Sequence, residues 1–375
     1  MREDKKIIFI VRNIIDFEFS LPLILNTKNS VILILNDFVL PKRYISLINE
    51  KKISHLFLKD DYLLFYFFKL SNVLNKVFFK LNLELKFIEK NILEIQYSLI
   101  KRVVLNFSIT KDDIFIFDHN ANARTKKLIK FIRSKFKEKI KIISIPHGIN
   151  FFKNYMTDIH NISSPKKNED YKLFDLIICS DQRQADDMEG KKIILEPLVY
   201  TTEWNQNLNK YFLKKEYSRN NNQKVLVLHS KYVGNISKLE FERALKILDA
   251  NSDNLDIKLK VHPRSYKEVN IKNYKSISLF DGYIDEAFEW AEVIIFSSTS
   301  SIINAFIRKK PVIWMKFSTS NLIQDHIADN CSVANSPDEF LSLIIDLPKR
   351  NLKIAQYSPN NFSDLLLEWK EVILK

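Results

Sequence analysis

The sequence predicts an α/β protein of two doubly wound, Rossmann-like domains facing each other across a cleft. Three observations predict it. Short apolar runs bounded by polar turns recur along the chain, with helix-period stretches between several of them. The 375 residues suit two domains rather than one. A polar, Asn-rich stretch splits the alternation into two series.

The first series has candidate buried strands at 7–11, 31–35, 53–58, 114–117, 140–145, 176–179 and 193–195. Residues 63–100 are aromatic-rich with helical spacing and read as two amphipathic helices, with Asn82 near the break. Residues 124–139 read as a basic helix whose apolar face is Leu128, Ile129, Ile132 and Phe136. The second series has strands at 225–228, 257–261, 277–280, 293–296 and 312–315. Helices are expected at 238–250, 284–290 and 302–308, and 363–374 reads as a final helix. The expected layout is an N-terminal domain over 1–205, a linker over 206–223 and a C-terminal domain over 224–375. Strand–helix alternation in both halves is what implies two parallel sheets wrapped by helices.

Composition narrows the function classes. Apolar residues make up 46% of the chain and charged residues 27%, a globular balance. Against 45 acidic residues stand 58 Lys and Arg, a net charge of +13, which favours anionic partners. Two cysteines, Cys179 and Cys331, exclude a disulfide framework or a cysteine-based metal site. The start has too short an apolar run for a signal peptide. The longest purely apolar run, near 62–68, is far short of a bilayer span. A soluble, cytoplasmic protein is expected, with any membrane contact peripheral to the inner face. Only Gly148, Gly190, Gly234 and Gly282 are present, which excludes a P-loop and the dinucleotide fingerprint. No zinc-spaced cluster and no strand-end Asp-x-Asp occurs, so neither metal nor cofactor is expected. Nucleic-acid motifs are missing as well, and no nucleic-acid partner is expected.

Ligands of open parallel sheets bind beyond the carboxyl ends of the strands. The sharpest strand-end signal is Ser-Ser-Thr-Ser-Ser at 297–301. Hydroxyls and free backbone N–H groups ahead of a helix suit a phosphate, which makes Ser297, Ser298, Thr299 and Ser300 donor-site candidates. A helix cap with spare serines is the plainer alternative. Lys260-Val-His262-Pro-Arg264 ends another strand, with Lys260 and His262 two apart and therefore on one side. Alone it reads as a strand end with exposed cations. Beside the hydroxyl loop it reads as the rest of a phosphate site, with His262 able to donate to a departing phosphate. Lys231, after the strand at 225–228, is a further candidate cation. In the first half the strand-end candidates are Asp118, His119, Asp16 and His147 in Pro-His-Gly. Each has a plainer reading as a turn residue bonding its own backbone, and for Asp118, His119 and Asp16 that reading comes first. Asp118 and His147 are carried forward as catalytic candidates with His262.

The block Lys260-Val-His-Pro, Ala291-Glu-Val-Ile-Ile-Phe-Ser-Ser-Thr-Ser-Ser and Ala305-Phe-Ile-Arg-Lys-Lys-Pro-Val-Ile resembles the C-terminal domain of bacterial GT-B-fold transferases for surface polysaccharides. It is similar to capsule sialyltransferases and Kdo transferases, and to CDP-glycerol glycerophosphotransferases. The resemblance covers roughly 225–316, plus Pro146-His147-Gly148. It implies donor binding by His262, Ser297, Ser298 and Thr299. It implies a metal-independent transferase with a nucleotide-activated sugar donor and a glycan or lipid-linked acceptor. Phe296 stands where the glycerophosphotransferase pattern has an Asp. A sugar-nucleotide 2-epimerase shares the two-domain fold, but carries glycines where this chain has the hydroxyl run. A non-enzymatic, basic anion-binding protein is the third reading.

Overall fold

A computed structural model of the chain describes residues 5–80, 86–119, 122–137, 139–146, 169–186, 188–212, 222–230, 236–262, 269–320, 323, 325–345, 347, 352–354 and 360–375. Asn82, His147, Lys231 and Arg264 lie outside the described residues. The chain divides into two compact units, one from residues 1–149, 166–199 and 362–375, the other from 150–165 and 200–361.

The first unit holds a seven-stranded sheet in the order β3-β2-β1-β4-β5-β6-β7. The strands are β1 (Ile7–Val11), β2 (Ser30–Ile34), β3 (Ser54–Phe57), β4 (Ile114–Asp118), β5 (Lys141–Ile145), β6 (Leu176–Cys179) and β7 (Lys192–Ile194). All neighbours run parallel. Parallel strands need crossover connections, and the helices supply them. They are α1 (Ile14–Asn26), α2 (Lys42–Glu50), α3 (Tyr62–Lys80), α4 (Lys86–Asn106) and α5 (Ala123–Lys135). β1, β2 and β4 are buried at every position, as strands covered on both faces must be.

α1 was not foreseen, because Pro22 sits inside it. Asn13 starts the helix by accepting hydrogen bonds from the Ile15 and Asp16 amides at 2.8 and 3.1 Å. Asp16, a strand-end candidate in the sequence, therefore lies in the first turn of a helix. The basic helix of 124–139 is α5, capped by Asn122, whose side chain accepts from Thr125 N at 2.9 Å.

The second unit holds a six-stranded sheet in the order β10-β9-β8-β11-β12-β13. Its strands are β8 (Gln223–Leu228), β9 (Leu255–Lys260), β10 (Ile277–Leu279), β11 (Val293–Phe296), β12 (Val312–Met315) and β13 (Ser332–Ala334). These pairs are parallel too. Between them lie helices at Lys238–Ala250, Ile284–Trp290 and Ile303–Ile307.

Two domain expectations differ from these units. Part of the expected linker is helical, Thr202–Phe212, because Trp204, 2% exposed, anchors an otherwise polar stretch. The terminal helix Phe362–Leu374 belongs to the first unit. Trp369 Nε1 donates to the Glu196 carbonyl at 2.9 Å, and Lys141 Nζ donates to the Ile373 carbonyl at 2.9 Å. A sequence pattern shows that such a helix is amphipathic, not which sheet receives its apolar face. Among the described residues, no helix is long and apolar enough to cross a membrane. Both cysteines are buried, and burial lifts their thiol pKa values to about 11 for Cys179 and about 12 for Cys331, so neither is a reactive thiolate.

Candidate functional site

Each sheet reverses direction once. In the first unit the order runs outward from β1 to β3 and the other way from β4 to β7, so the switch lies between β1 and β4. In the second unit it lies between β8 and β11. Such switch points leave a crevice beyond the strand ends, because the flanking loops diverge to opposite faces. Chemistry-bearing residues occupy both.

At the first switch, Arg12 follows β1 and Asp118 ends β4. Arg12 Nη2 donates to Asp118 Oδ2 in a close ion pair. Arg12 Nη1 donates to Thr125 Oγ1 at 3.2 Å, and the Arg12 amide donates to Asp16 Oδ2 at 3.2 Å. Asn36 Nδ2 caps the Arg12 carbonyl at 2.7 Å. Burial pushes the Arg12 pKa below its usual value and Asp16 opposes that, yet a guanidinium stays cationic. Asp118 is 5% exposed, and its Oδ1 has no hydrogen-bond partner among the described residues. A buried carboxylate oxygen left unpaired is costly, and such groups gather at functional sites.

A pocket of about 400 Å³ opens beside this pair. Ile10, Leu35, Phe117 and Leu128 give it apolar walls; Arg12, Asn36, Gln96 and Asn122 supply polar groups. Gln96 is 3% exposed and donates Nε2 to the Leu35 carbonyl at 2.9 Å. Its Oε1 is buried without a hydrogen-bond partner among the described residues. Apolar walls with a few fixed polar groups suit a small hydroxylated ligand. His119 faces elsewhere in this unit: Nδ1 meets Ser144 Oγ at 2.7 Å, and its carbonyl accepts from Tyr171 Oη.

At the second switch the ladder register sets three strand ends level, Phe296 beside Leu228 beside Lys260. Two residues further on come Ser298, Ser230 and His262. Ser230 Oγ donates to the Ser298 carbonyl at 2.5 Å and accepts from the Ser298 amide at 3.3 Å. That exchange ties the β8 end to the hydroxyl loop. β8 lies between β9 and β11, so the His262 and Ser298 strand ends are about 10 Å apart, two strand spacings.

The five hydroxyls are not equivalent. Ser297 is fully buried, its Oγ accepts from Ser318 Oγ at 2.7 Å, and its carbonyl accepts from Trp314 Nε1 at 3.0 Å. Thr299 Oγ1 caps the turn by accepting from Ser301 N at 3.3 Å. Ser298, Ser300 and Ser301 are half-buried. The loop opens a short 3₁₀ turn, Ser300–Ile302, followed by a five-residue helix, so the dipole behind it is small. Lys260 is engaged away from the loop: Nζ donates to the Gly282 carbonyl and lies 5.8 Å from the Phe280 ring centre. His262 is half-buried at the strand end.

Sequence reasoning missed Arg12, Gln96 and Ser230. Arg12 and Ser230 stood just beyond recognised strands and gained meaning only from strand order. Gln96 lay within a stretch read as an amphipathic helix, with nothing to single it out. Among the described residues, no group of three or more His, Cys, Asp or Glu side chains is placed to hold a metal ion.

No family model matches the sequence, and no curated protein matches it. Solved structures do resemble the fold. UDP-GlcNAc 2-epimerase from Neisseria meningitidis, bound to UDP-GlcNAc, has a TM-score of 0.59 at 10% identity, over 98% of this chain and 99% of that one. The fold is GT-B-like, with two parallel α/β units. UDP-GlcNAc 2-epimerase from Methanocaldococcus jannaschii gives a TM-score of 0.55 at 13% identity, over 98% and 99% of the two chains. The wall teichoic acid polymerase TagF, in a structure soaked with CDPG, gives 0.51 at 10% identity, over 99% of this chain and 84% of that one. At these identities the GT-B-like likeness carries the fold alone.

Proposed function

We propose that the protein is a nucleotide-sugar-dependent enzyme and, within that class, a metal-independent glycosyltransferase of surface-polysaccharide assembly. The observation that carries the reading is that each unit has its own polar switch point, and the two differ in chemistry. The second unit offers hydroxyls and an imidazole at neighbouring strand ends. The first offers a pocket with an ion-paired carboxylate beside it. Each suits one substrate of a two-substrate reaction.

In this proposal Ser298, Thr299, Ser300 and His262 receive the donor phosphates, with Lys231 and Arg264 as additional cations. Lys260 and Ser297 support the site through the Gly282 and Ser318 contacts described above. The acceptor hydroxyl, from a glycan or lipid-linked glycan, binds in the first unit. Its oxygen attacks the anomeric carbon, the bond from that carbon to the phosphate oxygen breaks, and the nucleotide leaves with the electron pair. Hydrogen bonds to that developing charge stabilise the transition state. The acceptor proton passes to Asp118 Oδ1. Arg12 pairs with Asp118 and holds its carboxylate at the end of β4, and the acceptor proton becomes acidic only as the new bond forms. His147 remains a second candidate for that proton.

His262→Ala is expected to lower nucleotide release from the donor by roughly 10²–10³-fold with the circular dichroism spectrum unchanged, the scale of losing one oriented donor. Full retained activity overturns the assignment.

The epimerase reading is kept because two epimerases align over nearly all of both chains. Incubation with a nucleotide sugar alone separates the two readings. Epimerisation gives a new sugar isomer without acceptor; a transferase gives none and releases nucleotide only slowly to water.

A further inference from the structure

We propose that the outward face of α3 docks the protein on an anionic lipid surface. The proposal rests on α3 and α5 and does not depend on the reaction above.

α3 is apolar on both sides. Its inward side carries Phe68, fully buried, with Leu64 and Phe65 packed on the same core. Its outward side carries Leu63, Tyr66, Phe67, Leu70, Val73 and Leu74, exposed by 63, 58, 49, 43, 57 and 38%. At about 100° per residue these fall within an arc of about 120°. Tyr62, at the first position of the helix, extends the same face. A helix apolar all round normally lies buried, and isolated exposed apolar residues are ordinary while a continuous face of them is not.

Charge in the same helix layer selects its occupant. Arg102 of α4 pairs with Asp61, just before α3, at 2.5 Å. Tyr97 of α4 stacks on Phe131 of α5 at 4.1 Å. The three helices pack on one core and form one layer. α5 contributes Arg124, Lys126, Lys127, Lys130, Arg133 and Lys135, and no acidic residue. Lys127, Lys130 and Lys135 are exposed. Lys69 flanks the apolar face, its Nζ 4.4 Å from the Phe65 ring centre. Aromatic and aliphatic side chains on a helix layer that also carries this band of cations match a bilayer interface with anionic headgroups. A second copy, carrying the same cations and the same net charge of +13, is repelled where an anionic leaflet is attracted.

Co-sedimentation of the full chain with vesicles tests this. Wild type is expected to bind vesicles containing phosphatidylglycerol about tenfold more strongly than phosphatidylcholine alone, with binding weakened by salt. The variant Leu63→Ser/Phe67→Ser/Leu70→Ser, all at exposed positions, is expected to stay folded by circular dichroism and to lose the binding. Lys127→Glu/Lys130→Glu is expected to reduce it to the level seen with phosphatidylcholine. Equal binding by wild type and the serine variant overturns the proposal. So does a wild-type dimer in sedimentation velocity that the serine variant dissolves, because a second copy then covers the face.

Discussion

Asp118→Asn lowers nucleotide release from the donor by about 10²–10³-fold while the chain stays folded, the range expected for losing a general base. The substitution keeps the shape of the side chain and its place at the end of β4. It removes the negative charge that Arg12 faces and the carboxylate proposed above to take the acceptor proton. Two roles produce a loss, and the pair of variants tells them apart. If Asp118 only holds Arg12, then Arg12→Gln costs as much as Asp118→Asn and the double variant costs no more. If Asp118 takes the proton, Asp118→Asn is the more severe and the acidic limb of the pH–rate profile disappears with it. Wild-type activity in Asp118→Asn contradicts both.

Arg308→Met destabilises the second unit by about 2–4 kcal/mol, the cost of removing one partner from a largely buried ion cluster, discounted for the partly exposed Glu289. The Arg308 side chain is 6% exposed. Its Nε meets Glu289 at 2.8 Å, its Nη2 meets Asp285 at 3.5 Å, and its Nη1 donates to Asn205 Oδ1 at 2.7 Å. One guanidinium thus ties its own helix end to two other helices. Methionine keeps much of the apolar volume but leaves the carboxylates without their cation. A drop in the urea midpoint with unchanged slope is the expected signature. Adding Glu289→Gln to Arg308→Met is expected to recover part of the loss, because the uncompensated charge goes with it. A midpoint equal to wild type in Arg308→Met contradicts this account of the cluster.

The strands were legible because a sheet covered on both faces needs continuous apolar runs. The runs at Leu176–Cys179, Val293–Phe296 and Val312–Met315 match the observed strands residue for residue. α1 was hidden by Pro22, and the helix Thr202–Phe212 by its asparagines. The home of the terminal helix was not legible, since it depends on which sheet accepts Trp369. At the site, the hydroxyl run and His262 stood out by composition. The partition among those hydroxyls did not, because Ser297 and Ser298 differ only in which way the chain turns after β11. Arg12 reaches Asp118 across 106 positions of sequence, and only the β1–β4 pairing brings them together.

The central claim is that the second unit binds a nucleotide diphosphate or monophosphate. A thermal-shift series with CMP, CDP, UDP and GDP tests it most directly. One nucleotide is expected to raise the melting temperature, by an amount equivalent to about 2.7 kcal/mol when present at a hundred times its dissociation constant. His262→Ala is expected to abolish that rise. No stabilisation by any of the four nucleotides, or an equal rise in His262→Ala, contradicts the account.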